Sequence, residues 1–205
     1  MRHEKFGGFM KKLSVLICSL ALVIGTSASL SALDLTSYPS AFKQGNIAIN
    51  AGIGLGSFGS VYGNTVVPPI SATVDYALPI GKLPFSFGAL VGFTSSKYSY
   101  SAGSYGTYSY DYSIIAIGAR GAYHFNWDVK NLDTYFGLML GYYIVSASYT
   151  GTGYYSSLSS SSAAASGIGW GTYVGARYFF TPNIGAFAEL GYGFTYITGG
   201  VSIKI

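Results

Sequence analysis

Asp75, Arg120, Arg177 and Glu189 each interrupt a stretch in which apolar and small residues alternate. In every case the charge falls on the face of small residues, opposite the bulky apolar face. Charges confined to one crowded side of a wall must be paired to be tolerated there. Arg177 and Glu189 flank the turn Thr181-Pro-Asn. That places them near-diagonally on neighbouring strands, about 7–8 Å apart and within reach of long side chains. The chemistry expected of these four residues is an interior ion-pair network. It could plug and rigidify a lumen, or it could form a gate or narrow selectivity site for small solutes.

Other chemistries are poorly served. His124 is the only histidine beyond position 3 and has no Cys or second His to complete a metal site. Gly54-Leu-Gly-Ser-Phe-Gly59 formally matches GxGxxG, but Ser60-Val-Tyr-Gly-Asn and then Pro68-Pro69 follow it. A pyrophosphate would need a helix there. Asp111 is the only acid expected near the far rim of such a lumen, which is too little for a hydrolase or acyltransferase. No catalytic residue, metal or cofactor is expected.

The element that positions two of the four charges is a hairpin, Gly167 to Phe194. With period two, Ile168, Trp170, Thr172, Val174, Ala176, Tyr178 and Phe180 share one face, opposed by Gly167, Gly169, Gly171, Tyr173, Gly175 and Arg177. After the turn, Ala186, Ala188, Leu190, Tyr192 and Phe194 share a face, opposed by Gly185, Phe187, Glu189, Gly191 and Gly193. Strict alternation marks strands. The glycine-rich face suits the inside of a narrow tube, and the apolar face would then point outward, as it does in lipid. A soluble ligand-binding barrel would carry the reverse polarity.

The same reading predicts strands at about 46–56, 69–78, 85–95, 112–125 and 134–145 before the hairpin, and 197–205 after it. Each carries alternating apolar residues, such as Phe85, Phe87, Ala89, Val91 and Phe93, or Phe136, Leu138, Leu140, Tyr142 and Ile144. Strands of about ten residues fit a tilted membrane crossing. Connections alternate between short and long, as periplasmic turns and outer loops do. Phe85, Tyr123, Phe125, Trp127, Phe136, Tyr178 and Phe180 gather near the short turns, as an interfacial aromatic belt would. The expected fold is all-β, an eight-stranded antiparallel transmembrane β-barrel. Its interior would be about filled by side chains.

Composition agrees. Only 9% of the residues are charged, against 17% aromatic, with 29 Gly and 20 Tyr in 205 residues. Soluble domains carry about 25% charge. Residues 1–32 are expected to be an export signal, with Lys11-Lys12 as the basic region, Leu13 to Ile24 as the apolar core and Thr26 to Ala32 as the cleavage zone. Met10 could begin such a signal by itself. Its removal takes away Arg2, Lys5, Lys11 and Lys12 with Glu4, lowering the formal charge from +4 to about +1. The basic balance therefore implies no nucleic-acid partner. The single cysteine, Cys18, lies in the apolar core, so no disulfide is expected. Residues 33–45 show no pattern and are expected to be a periplasmic lead-in to a barrel over 46–205.

The two longest loops hold Tyr98, Tyr100, Tyr105, Tyr108 and Tyr110, then Tyr149, Tyr154 and Tyr155, set among Ser and Gly. They could be soluble surface loops or strands extended beyond the membrane. They could also form a recognition surface, since Tyr offers rigid amphipathic contact and Ser/Gly adaptability.

The segments Gly175-Ala-Arg-Tyr-Phe-Phe-Thr-Pro-Asn, Gly185-Ala-Phe-Ala-Glu-Leu-Gly-Tyr-Gly and Gly200-Val-Ser-Ile-Lys-Ile resemble the small outer-membrane barrels of the OmpA, OmpX and OmpW type. The resemblance covers roughly Asn46 to Ile205. It implies a monomer in the outer membrane, in contact with its lipid. It implies recognition of the last strand by the barrel-insertion machinery, although this chain ends in Ile205 where the group usually ends in an aromatic. It further implies either a narrow channel or carrier for small solutes, or a structural or adhesin-type barrel binding an extracellular ligand through its loops.

Overall fold

The alternation folds as strands that close on themselves. The computed structural model describes residues 33–57, 64–81, 83–101, 103, 106–152, 161–162 and 166–205. The expected signal segment 1–32 with Cys18, and Tyr105, Tyr154 and Tyr155, lie outside the described residues. The strands are β1 (Ile47–Ser57), β2 (Asn64–Ala77), β3 (Phe85–Ser101), β4 (Thr107–Phe125), β5 (Leu132–Gly151), β6 (Ser161–Ser162), β7 (Gly167–Phe179), β8 (Ile184–Tyr192) and β9 (Thr195–Lys204). β6 is a two-residue pairing against Ala147 and Ser148 of β5. The eight long strands pair antiparallel in chain order, and β1 pairs with β9 to close the barrel.

The register places the membrane. On β3, β4 and β5, Phe85, Tyr123 and Phe136 lie side by side as one outward aromatic rung. Phe93, Ile115 and Ile144 form another, and the next outward rung is Ser95, Ser113 and Ser146. The outer face thus changes from apolar to hydroxylated at the same level on three strands. Between the two limits β3 runs for about nine residues, the length of a tilted crossing. Leu138, Leu140, Ile168 and Trp170 between these levels are 59–79% exposed, which in water would be a large apolar patch and in lipid is a solvated surface.

Two expectations change. The strands run further outward than the sequence pattern predicts: β2 begins at Asn64, β3 reaches Ser101, β4 begins at Thr107 and β5 reaches Gly151. Tyr98, Tyr100, Tyr108, Tyr110 and Tyr149 therefore sit in paired strands, so that of the arrangements open from the sequence it is strands extended beyond the membrane, not surface loops, that form here. Apolar alternation stops at the membrane boundary, whereas backbone pairing does not. In β2 the ladder shifts register between Thr65 and Ile70, where Pro68 and Pro69 supply no N–H.

Phe194, expected on the outer face with Tyr192, instead lies inside, 4% exposed. Strand β8 ends at Tyr192, and Gly193, at φ 137°, reverses the chain before Thr195 opens β9. That break resets the alternation. The short connection expected at Thr195 and Tyr196 is therefore Gly193-Phe194.

The lead-in 33–45 packs against the barrel. Asp34 bridges Asn126 through its backbone, and the Tyr38 hydroxyl donates to the carbonyls of Phe85 (2.6 Å) and Leu78 (3.0 Å). Phe42 is fully buried with Ala48 and Ala77, and Lys204 Nζ donates to the Ala41 carbonyl at 2.7 Å. The segment plugs the end of the barrel that carries the short turns. Its residues lack periodicity because they neither form a strand nor a helix; only the barrel mouth gives them partners.

Candidate functional site

The interior is built on alternating glycines and large side chains. A side chain at Gly175 would meet the Tyr135 ring at 2.6 Å, and one at Gly52 would meet Phe187 at 2.7 Å. Tyr173 lies in the same way across Gly137, and Phe194 across Gly92. The glycines of one strand make room for an aromatic ring from another, so an eight-stranded tube can hold Tyr135, Tyr173, Phe187 and Phe194 along with its charges.

Those charges form one cluster. Arg177, on β7, donates from Nη1 to Asp133 at 2.9 Å, from Nη2 to Asp75, and from Nε to Asn50 Oδ1 at 3.2 Å. Arg120, on β4, holds Glu189 with both terminal nitrogens, at 2.7 and 3.3 Å, and its Nε lies 2.9 Å from Asp75 Oδ1. The Tyr135 hydroxyl donates to Glu189 at 2.8 Å. Arg120 stacks on the Tyr173 ring at 4.0 Å and Arg177 on Tyr135 at 4.3 Å. Both guanidiniums are thus bound at their edges by carboxylates and on a face by an aromatic ring, the arrangement that tolerates a buried arginine.

The four residues expected to form the network all lie in it. The expected neighbour pair does not form. Glu189 stands opposite Gly175 and Arg177 opposite Phe187 across β7 and β8. Glu189 instead reaches Arg120, while Arg177 reaches Asp75 and Asp133. In a narrow closed tube, side chains from non-adjacent strands meet near the axis, and the Glu189–Arg120 and Arg177–Asp75 contacts replace the diagonal one. Asp133 was hidden from the sequence reading because the polar stretch Asn126 to Asp133 reads as a turn; in the structure it is the second residue of β5 and its register partner is Arg177 itself. Asn50 was visible only as one inward position of β1.

His124 completes a second string. Its Nδ1 lies 2.7 Å from Asp133 Oδ1 and its Nε2 lies 2.8 Å from Ser86 Oγ. Ser86, His124 and Asp133 follow the order of a nucleophile, base and orienting acid. All three are fully buried, however, and the Phe42 ring lies 4.8 Å from the imidazole. Asp133 also spends its other oxygen on Arg177. The string joins β3, β4 and β5 beneath the plug.

On the plug itself, the Ser37 hydroxyl, then the Thr36 backbone N–H and hydroxyl, hold the Asp34 carboxyl below its ordinary range. Burial pushes the Tyr38 phenol above its ordinary value, against the lowering effect of its own bonds to Phe85 and Leu78.

Above the charge cluster the lumen becomes apolar. Leu90, Met139, Tyr173 and Phe194 form a buried core with Tyr143 packed against it. A small cleft over the Arg120–Glu189 pair is lined by Leu90, Met139, Thr172, Tyr173, Phe194 and Thr195. Still further out, the tyrosines of β3, β4 and β5 gather. Tyr98, Tyr110 and Tyr149 share one rung, and Tyr100 and Tyr108 share the next. Ring centroids lie 5.0 Å apart for Tyr110–Tyr149, 5.2 Å for Tyr100–Tyr108 and 6.2 Å for Tyr110–Tyr112. By strand parity these tyrosines continue the lumenal face, while Ser, Thr, Lys97 and Asp111 continue the outer one. Tyr105, Tyr154 and Tyr155 have no described place in this wall.

No family model matches the chain, and no curated protein matches it. Similar solved structures are small outer-membrane barrels. The N-terminal β-barrel domain of Pseudomonas aeruginosa OprF is 15% identical, with a TM-score of 0.45, covering 79% of this chain and 98% of that one. Neisserial surface protein A is 19% identical, with a TM-score of 0.44, covering 78% and 93%. Ail, the attachment invasion locus protein of Yersinia pestis, solved with the heparin analogue sucrose octasulfate, is 14% identical, with a TM-score of 0.42, covering 78% and 95%.

Proposed function

We propose that the chain is a monomeric outer-membrane protein, surrounded by lipid, with a closed lumen, and that it works from its outer mouth as a surface barrel that binds a partner. The observation that carries this reading is the filled interior. Arg120, Arg177, Asp75 and Asp133 are at most 2% exposed, and Phe42 closes the end beneath them. Beyond the membrane band, by contrast, three strands continue as a wall faced with tyrosine. Rigid aromatic hydroxyls on a paired backbone suit recognition at little entropic cost. The reading needs no catalytic step.

Conductance across a planar lipid bilayer tests it. The folded protein should leave the bilayer at baseline. Discrete current steps that vanish in Arg177→Met or Glu189→Gln would overturn the closed-lumen reading and establish a narrow channel instead. A carrier for small apolar solutes is the second reading, favoured by the cleft lined by Leu90, Met139, Tyr173 and Phe194. It requires both the charge cluster and the plug to move.

A further inference from the structure

We infer that the tyrosine wall on β3, β4 and β5 binds an uncharged glycan. The inference rests on the surface-recognition reading above and names its ligand class.

Three observations carry it. The first is polarity. Beyond the Ser95–Ser113–Ser146 rung the two faces of the wall differ completely. The lumenal-parity face presents Tyr98, Tyr100, Tyr108, Tyr110, Tyr112 and Tyr149. The opposite face presents Ser and Thr, with Lys97 and Asp111 paired at 3.4 Å. Those two are the only charged residues among the described residues of these strand extensions, and they lie off the tyrosine face. A ligand seated there finds no charge to neutralise, so it must itself be uncharged or lose solvation without return.

The second is the kind of surface. Ring planes flanked by phenolic hydroxyls offer an apolar plate with hydrogen-bonding rims. A pyranose is the complementary object: its C–H faces are apolar and its edge is a belt of hydroxyls. Two successive rungs of tyrosine, held by a continuous hydrogen-bonded ladder, would take successive sugar rings without rearrangement.

The third is size. Tyr98, Tyr100 and Tyr110 are 44%, 49% and 36% exposed, and the other three rings are partly covered by their neighbours. The open ring surface is on the order of 400 Å², about half of what one partner contributes to a standard protein–protein interface. That footprint fits an oligosaccharide of a few residues better than a folded protein.

The test uses the full protein folded in detergent, applied to an array of neutral hexosaccharides based on glucose, galactose, mannose and N-acetylglucosamine, printed beside sulfated and sialylated counterparts. Saturable binding to a neutral member is expected. It should weaken by about tenfold or more in Tyr98→Ser/Tyr110→Ser, the loss of two aromatic contacts, and stay unchanged in Lys97→Ala/Asp111→Ala. Heat-dependent gel mobility confirms that each variant remains a barrel. Binding confined to sulfated or sialylated members, no binding to the array, or binding indifferent to the tyrosines would each overturn the inference. Attachment of proteoliposomes carrying the protein to cultured glycan-bearing cells separates the two levels. Attachment that needs Tyr98 and Tyr110 but survives enzymatic removal of cell-surface glycans overturns the glycan and keeps surface recognition. Attachment indifferent to these tyrosines overturns both.

Discussion

Asp133 and Arg177 stand opposite each other as register partners on β5 and β7, bonded at 2.9 Å with neither side chain reaching solvent. The same guanidinium also holds Asp75, from the far side of the barrel. One side chain therefore ties β7 to its neighbour and to β2. Arg177→Met would leave two carboxylates buried near each other without their main cation. Breaking a buried pair in this way costs about 3–5 kcal/mol. Urea unfolding followed by gel mobility should show that loss. Glu189→Lys, which sets a third cation beside Arg120, should lower the folded yield as well. Wild-type midpoints in both variants would remove the cluster from the account of stability.

The glycine pattern makes a paired prediction. A methyl at Gly175 would press on the Tyr135 ring at 2.6 Å, whereas one at Gly199 meets nothing nearer than the Phe187 carbonyl at 3.7 Å. Gly175→Ala should cost about 1–3 kcal/mol from overpacking, and Gly199→Ala should be near neutral. Equal midpoints for the two variants would show that the lumen is looser than its contacts imply.

The membrane limits can be mapped by charge. Leu140 lies midway between the Phe136 and Ile144 rungs and is 62% exposed on the outer face. Leu140→Arg should destabilise the barrel in bilayers by about 2–4 kcal/mol, whereas Ser146→Arg, at the first hydroxylated rung, should cost about 0–1 kcal/mol. Similar costs at both positions would mean that the apolar band is not set by lipid.

Plug docking should depend on pH in alkali. Burial raises the Tyr38 phenol above its ordinary value near 10. As pH rises past that ordinary value, the undocked segment loses the proton while the docked one retains it. The docked state therefore binds more protons, and its advantage falls with rising pH. The contribution is fully present below about pH 10 and disappears as pH climbs through the raised value. Hydrogen exchange over residues 33–45 should show faster opening there, and Tyr38→Phe should remove the pH dependence. An unchanged alkaline profile in Tyr38→Phe would assign the effect to another group.

Phe42→Ala should loosen the same segment at neutral pH. The ring packs with Ala48, Ala77, Tyr38 and His124, and truncating a buried Phe costs about 3–5 kcal/mol. Exchange in 33–45 should rise while the barrel strands stay protected. Loss of protection throughout would show that the plug and barrel unfold together.

Inside and outside were legible in the sequence because a strand's side chains alternate with period two, and a lipid-facing wall leaves that period almost unbroken. Val74 against Asp75, Ala119 against Arg120 and Ala176 against Arg177 each announce which face holds the charge. The period also fixes how many strands cross, since each crossing needs its own apolar run. Closure decided the rest. Which carboxylate Arg177 would meet across the lumen depends on how eight strands converge on one axis, and that brought Asp75 to it in place of Glu189, while the β5–β7 register set Asp133 beside it. Phe194 turned inward because Gly193 reset the count of two. The tyrosine strands continued past the last lipid-facing rung because their pairing rests on backbone hydrogen bonds, which no side-chain period reports. Residues 33–45 became a plug only because the barrel end supplied Phe85, Ala48 and Lys204 as partners. Alternation is a local property carried by each strand alone; partners across a lumen exist only once the sheet has closed.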